Sequence, residues 1–531
     1  MASKRRSLFF VPFVVLLCSL AGGIYGQRVQ VAAASSNDDD VKASLKSFTK
    51  AYNLVEQNFA DPVTADKAIY DGAIPGMLRT LDPHSSFFDP KAFAKMREDQ
   101  RGNYYGVGMR VTPRGSAGTA VFEPFKGSPA WKAGLKPGDL IIQVNDTNTR
   151  GFSTEKVADL LKGPRGTTVK IEVERDGSTE PISFNVVRDS INVTSVPEEI
   201  SLGNGVYYIR IEQFMETTSR DLEDDLKRIG ENNIKGLILD LRGNPGGLLN
   251  EGVAVADKFL NKDDVIVSHH GRASQEKVYT ARNGNHGHLY PIVVLVNRSS
   301  ASAAEIVTGA LQDHDRAWVF GDNTFGKGLV QTVYPLIENS GLALTTAKYY
   351  TPSGRLIQRD YSHSSFYDYY FKQNTEARNL QDVKMTDSGR TVYGGGGISP
   401  DEKYVTPKYD KLQIELSRNN TYFNFTAHYL GTHPQLKVTK DWTPDFNVMN
   451  AFHDYALQKQ IPFTESEFTQ DNDWIKRQIK IAFLWSGMSN DDSRAYEEAT
   501  DPEVLKAEES LPKAQALLNS AKKLVVMRMA K

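Results

Sequence analysis

Between Val206 and Gln312 the chain alternates two hydrophobic periods, and this restricts its fold more than any other feature. The apolar runs VYYIRIEQF, IKGLILDLRG and PIVVLVN are separated by stretches with helical spacing: 217–229, LLNEGVAVADKFL and AAEIVTGALQ. Strands that are apolar at nearly every position need cover on both faces, which a layered α/β structure supplies. Active sites in such sheets collect in the turns at the strand carboxyl ends. Two turns of that kind stand out, RGNPGG (242–247) and NRSSASAAE (297–305).

At 531 residues the chain exceeds a single hydrophobic core and divides into about three or four domains. Its 24% charged residues leave a net charge of only −2, which gives no reason to expect a polyanionic partner such as nucleic acid. Lys4, Arg5 and Arg6, the apolar run LFFVPFVVLLC and the small-residue stretch SLAGGIYGQ follow in the order of an export signal, read here as residues 1–26. The competing reading is an uncleaved membrane anchor through residues 7–25. Either sends the protein out of the cytoplasm, to the periplasm or cell envelope. The single cysteine, Cys18, lies inside this segment, so the exported body has no thiol nucleophile and no thiolate metal site. Residues 27–40 read as a polar linker, 41–102 as a small helical domain, and 404–531 as a C-terminal helical domain. In the last, Leu505, Leu511, Ala514 and Leu517 suggest an amphipathic helix. His84 in the DPHSS turn is taken as a solvated turn residue rather than a ligand; no metal or cofactor is expected.

The segment 103–190 has short strand-like runs broken by glycine. GSPAWKAGLKPGDLIIQVND and LKGPRGT closely resemble a PDZ domain of secreted proteases, and Tyr105, Gly106, Val107 and Gly108 fall where such domains bind a carboxylate. Glycines let successive backbone N–H groups converge on an anion, and an open strand edge can pair with a peptide.

Ser302 is followed three residues later by Glu305 and then by IVTGALQ, the pattern of a helix capping box. A serine there also lies where the first N–H groups of a helix can stabilise an oxyanion, so the cap and nucleophile readings coexist. None of the ten histidines has a recognisable catalytic setting. Lys327, between Gly326 and Gly328 in FGDNTFGKGLVQ, is the alternative base. An ordinary lysine is neutral in about 0.04% of molecules at pH 7, and lowering its pKa by roughly 3 units would cost about 4 kcal/mol.

The set SSASAAEIVTGALQD, NTFGKGLVQ, LTTAKYYTPSGRLIQ and GGGGISPDE, together with LDPHSSFFDP and the PDZ-like segment, resembles the C-terminal processing peptidases, or tail-specific proteases, over roughly 41–405. The resemblance implies a multidomain α/β protein: a crotonase- or Clp-like α/β protease core at 191–403 carrying an inserted PDZ domain, with helical N- and C-terminal regions. It implies Ser302 as nucleophile, with Ser299 and Ser300 excluded, Lys327 as base and Gln331 as the residue that orients the lysine. It further implies backbone oxyanion donors at Ala303 and at Gly246 or Gly247, and coupling of PDZ and protease through Arg165. Gly243 departs from the family, where many members have asparagine. The expected partners are protein or peptide substrates with free C-terminal tails, with membrane attachment, homo-oligomer formation or an adaptor as further options. The reading from a different class is a catalytically silent PDZ scaffold that binds C-termini.

Overall fold

The computed structural model describes residues 39–529, apart from 176, 198, 363–364 and 372–378; the export signal and most of the expected linker lie outside the described residues. The chain divides into two units, Met1–Asp89 and Pro90–Lys531.

In the first unit a helix spans 39–58, beginning just inside the expected linker. Its apolar residues Leu45, Phe48, Leu54 and Val55 are exposed. A π-helical stretch, Asp66–Ala73, runs into the helix Ile74–Arg79. The DPHSS turn is closed by Asp82, whose carboxylate accepts from His84 N and Ser85 N at 2.8 Å and from Ser85 Oγ at 2.7 Å.

The second unit begins with the helix Pro90–Arg101 and contains the PDZ domain. Asn103–Gly106 and Asp189–Asn192 pair antiparallel as its entry and exit ribbon. Between them, five strands form an antiparallel sheet from Met109–Pro113 at one edge to Ile182–Val187 at the other, with the short Thr147–Asn148 paired to Leu140–Val144. The period of two is visible in Thr168–Glu174, where Val169, Ile171 and Val173 are buried and the residues between them face outward. Among the described residues the strand Met109–Pro113 pairs only with Thr119–Pro124, which leaves its other edge open beside the helix Thr154–Leu161.

The α/β body has a six-stranded sheet in the order Ile200–Gly203, Val206–Arg210, Gly236–Asp240, Ile292–Val296, Trp318–Gly321, Glu402–Lys403. Every pairing is parallel except the first. Gly236–Asp240 and Ile292–Val296 are buried at every position, and alternation decides which cover each residue meets. Leu237, Leu239, Ile292 and Val294 pack under Leu226, Val255 and Val307 of the helices Thr218–Ile229, Leu249–Asp257 and Ala303–Asp313. Ile238, Val293 and Leu295 meet Val504, Ala507, Leu511 and Ala514 from the end of the chain.

The C-terminal segment therefore does two things. Its helices between Lys411 and Gly487 build a core of their own around Leu416, Phe425, Phe452, Ile479 and Phe483. The helices Pro502–Glu509 and Leu511–Met529 instead complete the body's second face. The expected continuous amphipathic helix is broken at Ser510, with Pro512 opening the next helix, which shifts the phase. Leu511, Ala514 and Leu517 are buried as expected, but Leu505 is 45% exposed and Val504 takes the inward position. Among the described residues no helix is long and apolar enough to cross a membrane.

Phe452 stacks on Tyr422 and meets Phe425 edge-on, each at 5.1 Å between ring centres. Phe452→Ala is expected to destabilise the C-terminal core by about 3–5 kcal/mol. Urea unfolding followed through Trp442 and Trp474, which pack against this core, measures the loss.

Candidate active site

The three serines of SSAS have different settings. Ser300 is fully buried; its hydroxyl donates to Leu241 O at 2.7 Å and accepts from Asn297 N at 3.0 Å. Ser299 is exposed on the turn, its N–H donating to Asn297 Oδ1. Ser302 is half-buried at the head of Ala303–Asp313, with φ 55° and ψ −113°. An ordinary N-cap adopts an extended backbone, whereas this conformation is strained for any residue with a side chain. The capping box with Glu305 is present, its shorter bond running from Ser302 N–H to Glu305 Oε2 at 2.9 Å.

The RGNPGG turn lies against this serine. A Cβ on Gly246, which has φ 95°, would come within 2.7 Å of Ser302 Cβ and 3.0 Å of Ala303 N, so only glycine allows the approach. Asn244, fully buried, shapes the turn: Nδ2 donates to Ile211 O at 2.8 Å, Oδ1 accepts from Gly246 N at 2.8 Å, and its backbone oxygen accepts from Ala301 N at 2.9 Å. Gly246 N–H is thereby occupied. The N–H groups of Gly247 and Ala303 have no hydrogen-bond partner among the described residues.

The loop bearing Lys327 joins the same cluster through Glu305. This carboxylate is 0% exposed and accepts four hydrogen bonds. Oε1 receives Thr324 Oγ1 at 2.5 Å and Gly326 N at 2.7 Å; Oε2 receives Lys327 N at 2.8 Å beside Ser302 N. Burial pushes its pKa up to about 7, with the four donors pulling the other way. Tyr349, also buried, completes the bracket by donating to Lys327 O at 2.5 Å and Ser302 O at 3.1 Å. One carboxylate oxygen thus spans the two N–H groups, and one hydroxyl the two carbonyls. Gln331 Nε2 donates to Thr345 Oγ1 at 3.2 Å on the neighbouring strand. A cleft of about 530 Å³ opens beside these loops, walled by Leu248 and Leu249, which follow Gly247, and by Val330, Thr332, His269 and Tyr279.

In the PDZ domain, Val107 O accepts from Ala130 N at 2.8 Å, and Gly108 O from Ser128 Oγ at 2.7 Å and Phe125 N at 3.0 Å. The N–H groups of Val107 and Gly108 have no partner among the described residues. Tyr105 is exposed and Gly106 is paired with Asp189 in the ribbon. Arg165 is 67% exposed, and its Nε donates to Asp189 Oδ1 at 2.7 Å, so its partner is the exit strand and not the α/β body. His314 is held by Asp387 Oδ2 and Val265 O, which push its pKa up to about 9 against burial that lowers it. Among the described residues no group of three or more His, Cys, Asp or Glu is set to hold a metal ion.

Sequence reasoning missed Asn244 and Tyr349 and saw Glu305 only as a cap. The capping spacing was the one available signal; nothing local shows that the same carboxylate reaches a loop more than twenty residues downstream.

Comparison with known proteins gives three family matches: peptidase family S41 over 205–362, PDZ domain over 125–175, and the activating protease CtpB N-terminal domain over 22–92. A carboxy-terminal-processing protease of Bartonella bacilliformis is 38% identical over 359 residues, covering 67% of this chain and 80% of that protein. Carboxy-terminal processing protease CtpA of Bacillus subtilis is 34% identical over 359 residues, covering 67% and 76%. The solved photosystem II D1 C-terminal processing protease matches 67% of this chain and 86% of its own at 29% identity, with a TM-score of 0.36.

A carboxyl whose folded pKa lies above its unfolded value near 4.5 favours folding most when protonated in both states, and that contribution is lost as pH rises through about 7. Relative to Glu305→Gln, the unaltered protein is expected to lose stability between about pH 4.5 and 7, by roughly 3 kcal/mol at most, and to level off above. Thermal unfolding across pH reads the difference.

Proposed function

The chain belongs to peptidase family S41, and from that premise we propose that it is an exported serine endopeptidase with a Ser-Lys dyad that recognises C-terminal tails through its PDZ domain. The observation carrying this reading is the double bracket of Glu305 and Tyr349 on Ser302 and Lys327, beside two unused N–H groups. Ser302 Oγ attacks the scissile carbonyl carbon as the neutral Lys327 amine takes its proton. The carbonyl oxygen becomes an oxyanion that receives Ala303 N–H and Gly247 N–H, aided by the positive end of the helix Ala303–Asp313. Collapse expels the amine, protonated by Lys327; water, deprotonated by the same lysine, then releases the acyl group.

Gln331 is assigned the role of orienting the lysine; with Nε2 given to Thr345, its oxygen remains the acceptor for a lysine N–H. The cleft beside Leu248 and Val330 suits a substrate side chain. The free N–H groups of Val107 and Gly108 suit a terminal carboxylate, and the open edge of Met109–Pro113 suits β-addition of the preceding residues. Any coupling through Arg165 runs along the ribbon by way of Asp189. A silent scaffold needs the PDZ domain but gains nothing from a serine held in a strained conformation.

Incubating the unaltered chain with a disordered protein, thiols blocked and metals chelated, should give fragments detectable by mass spectrometry. Ser302→Ala and Lys327→Ala should each lower the rate by roughly four orders of magnitude. Cleavage that persists in both variants would remove the dyad, and amidating the substrate's C-terminus without slowing cleavage would remove tail recognition.

A further inference from the structure

The turn that offers Gly247 N–H is anchored from outside the matched peptidase segment 205–362. Arg242, at its start, points away from the site into a charge cluster between the sheet and the end of the chain. Asp240, fully buried, holds the guanidinium from below, with Nε at 3.1 and 2.9 Å from its two oxygens and Nη2 at 2.7 Å. Nη1 donates to Asp501 Oδ2 at 2.8 Å and Glu503 Oε2 at 3.0 Å. The backbone is fixed as well: Arg242 N donates to Asp240 Oδ1 at 2.8 Å, and Arg242 O accepts from Arg210 Nη2 at 3.4 Å. Arg210 in turn donates to Glu498 Oε1 at 3.1 Å.

Four carboxylates around two arginines are a poor means of adding stability, because desolvating the charges offsets most of their attraction. Burial raises the carboxyls of Glu498 and Glu503, with the arginines opposing it. What the cluster provides is geometry: a planar guanidinium with fixed partners on several sides has one orientation. From Arg242 the chain reaches Gly247 in five residues whose other bonds, through Asn244 and Asn297, are already made. A shift of the guanidinium therefore moves the Gly247 donor.

We propose that Arg242 is a positioning residue for the oxyanion hole, and that Asp501 and Glu503 complete its setting, so that the C-terminal helices form a working part of the catalytic site. The proposal rests on the Ser302 reading above. Deleting an oxyanion donor costs about 10²–10³ in turnover, and a displaced donor costs less.

The test uses the full chain carrying Asp501→Asn and Glu503→Gln together, with Glu503→Gln alone beside it in case the pair fails to fold. Asparagine still caps Pro502–Glu509, as Asp501 does by accepting from Glu503 N. We expect kcat to fall by roughly tenfold with KM changed less than about twofold. Inhibition by a peptide aldehyde, whose adduct places an oxygen in the oxyanion position, should weaken by the same factor as kcat/KM. Arg242→Lys, which loses the planar fork, should behave alike. The control is Lys513→Gln, which breaks the ion pair with Glu402 that fixes the same chain end to the sheet edge at 2.7 Å, and should keep its kcat. The proposal is overturned if the carboxylate variants keep full turnover, if aldehyde affinity is unchanged while kcat falls, or if Lys513→Gln loses as much. An unaltered chain that cleaves nothing, or a Ser302→Ala that still cleaves, sinks the dyad reading itself.

Discussion

A carboxylate buried without partners is among the least favourable groups a fold can contain, and Glu305 is wholly buried. Four donors fill its oxygens, and they come from two loops that leave different strands of the sheet. Satisfying the carboxylate and assembling the site are thus one event. If the loop 322–328 moves, Glu305 loses three donors; if the loop 297–302 moves, it loses the fourth and the strained backbone of Ser302 loses its restraint. Tyr349 applies the same logic from the other side, spending one hydroxyl on the carbonyls of Ser302 and Lys327.

The sheet beneath this bracket requires two covers. Alternation along Gly236–Asp240 and Ile292–Val296 sends successive residues to opposite faces, and each face needs apolar partners. The chain between Thr218 and Asp313 supplies one set and the last helices supply the other. The middle of the sequence and its C-terminal end therefore meet on one sheet, and the acidic residues at the head of the last helices stand beside the arginines below the RGNPGG turn. The PDZ domain, by contrast, has a core of its own and joins the body through the two-stranded ribbon, with further contact where Phe122 packs on Phe423 and Trp485. Arg165 is exposed and pairs with Asp189 on the exit strand of that ribbon.

The α/β body was legible because its strands are apolar throughout and its helices have a clear period. The PDZ domain was legible because its glycine turns and alternating strands are local features. Of the proposed site, Ser302 is singled out by the family resemblance and Lys327 by its glycine-flanked loop together with that resemblance, whereas the sequence leaves the choice between Gly246 and Gly247 open. That choice depends on Asn244, whose side chain turns back to take the Gly246 N–H, a contact invisible to spacing. The phase of the last helices was misread at Leu505 because the interruption at Ser510 resets the helical period, and a window drawn across it averages two directions.

The sequence by itself determined which segments become strands, helices and turns, because hydrophobic period and turn chemistry act over a few residues. It also placed a serine at a helix start and a lysine in a glycine-flanked loop. Only the tertiary structure decided that one buried carboxylate serves both loops, that Gly247 keeps a free N–H, and that the end of the chain closes the sheet and holds Arg242. These are contacts between residues far apart in the chain, fixed by the need to give every buried polar group a partner and every apolar face a cover. Neither need is met within any local stretch.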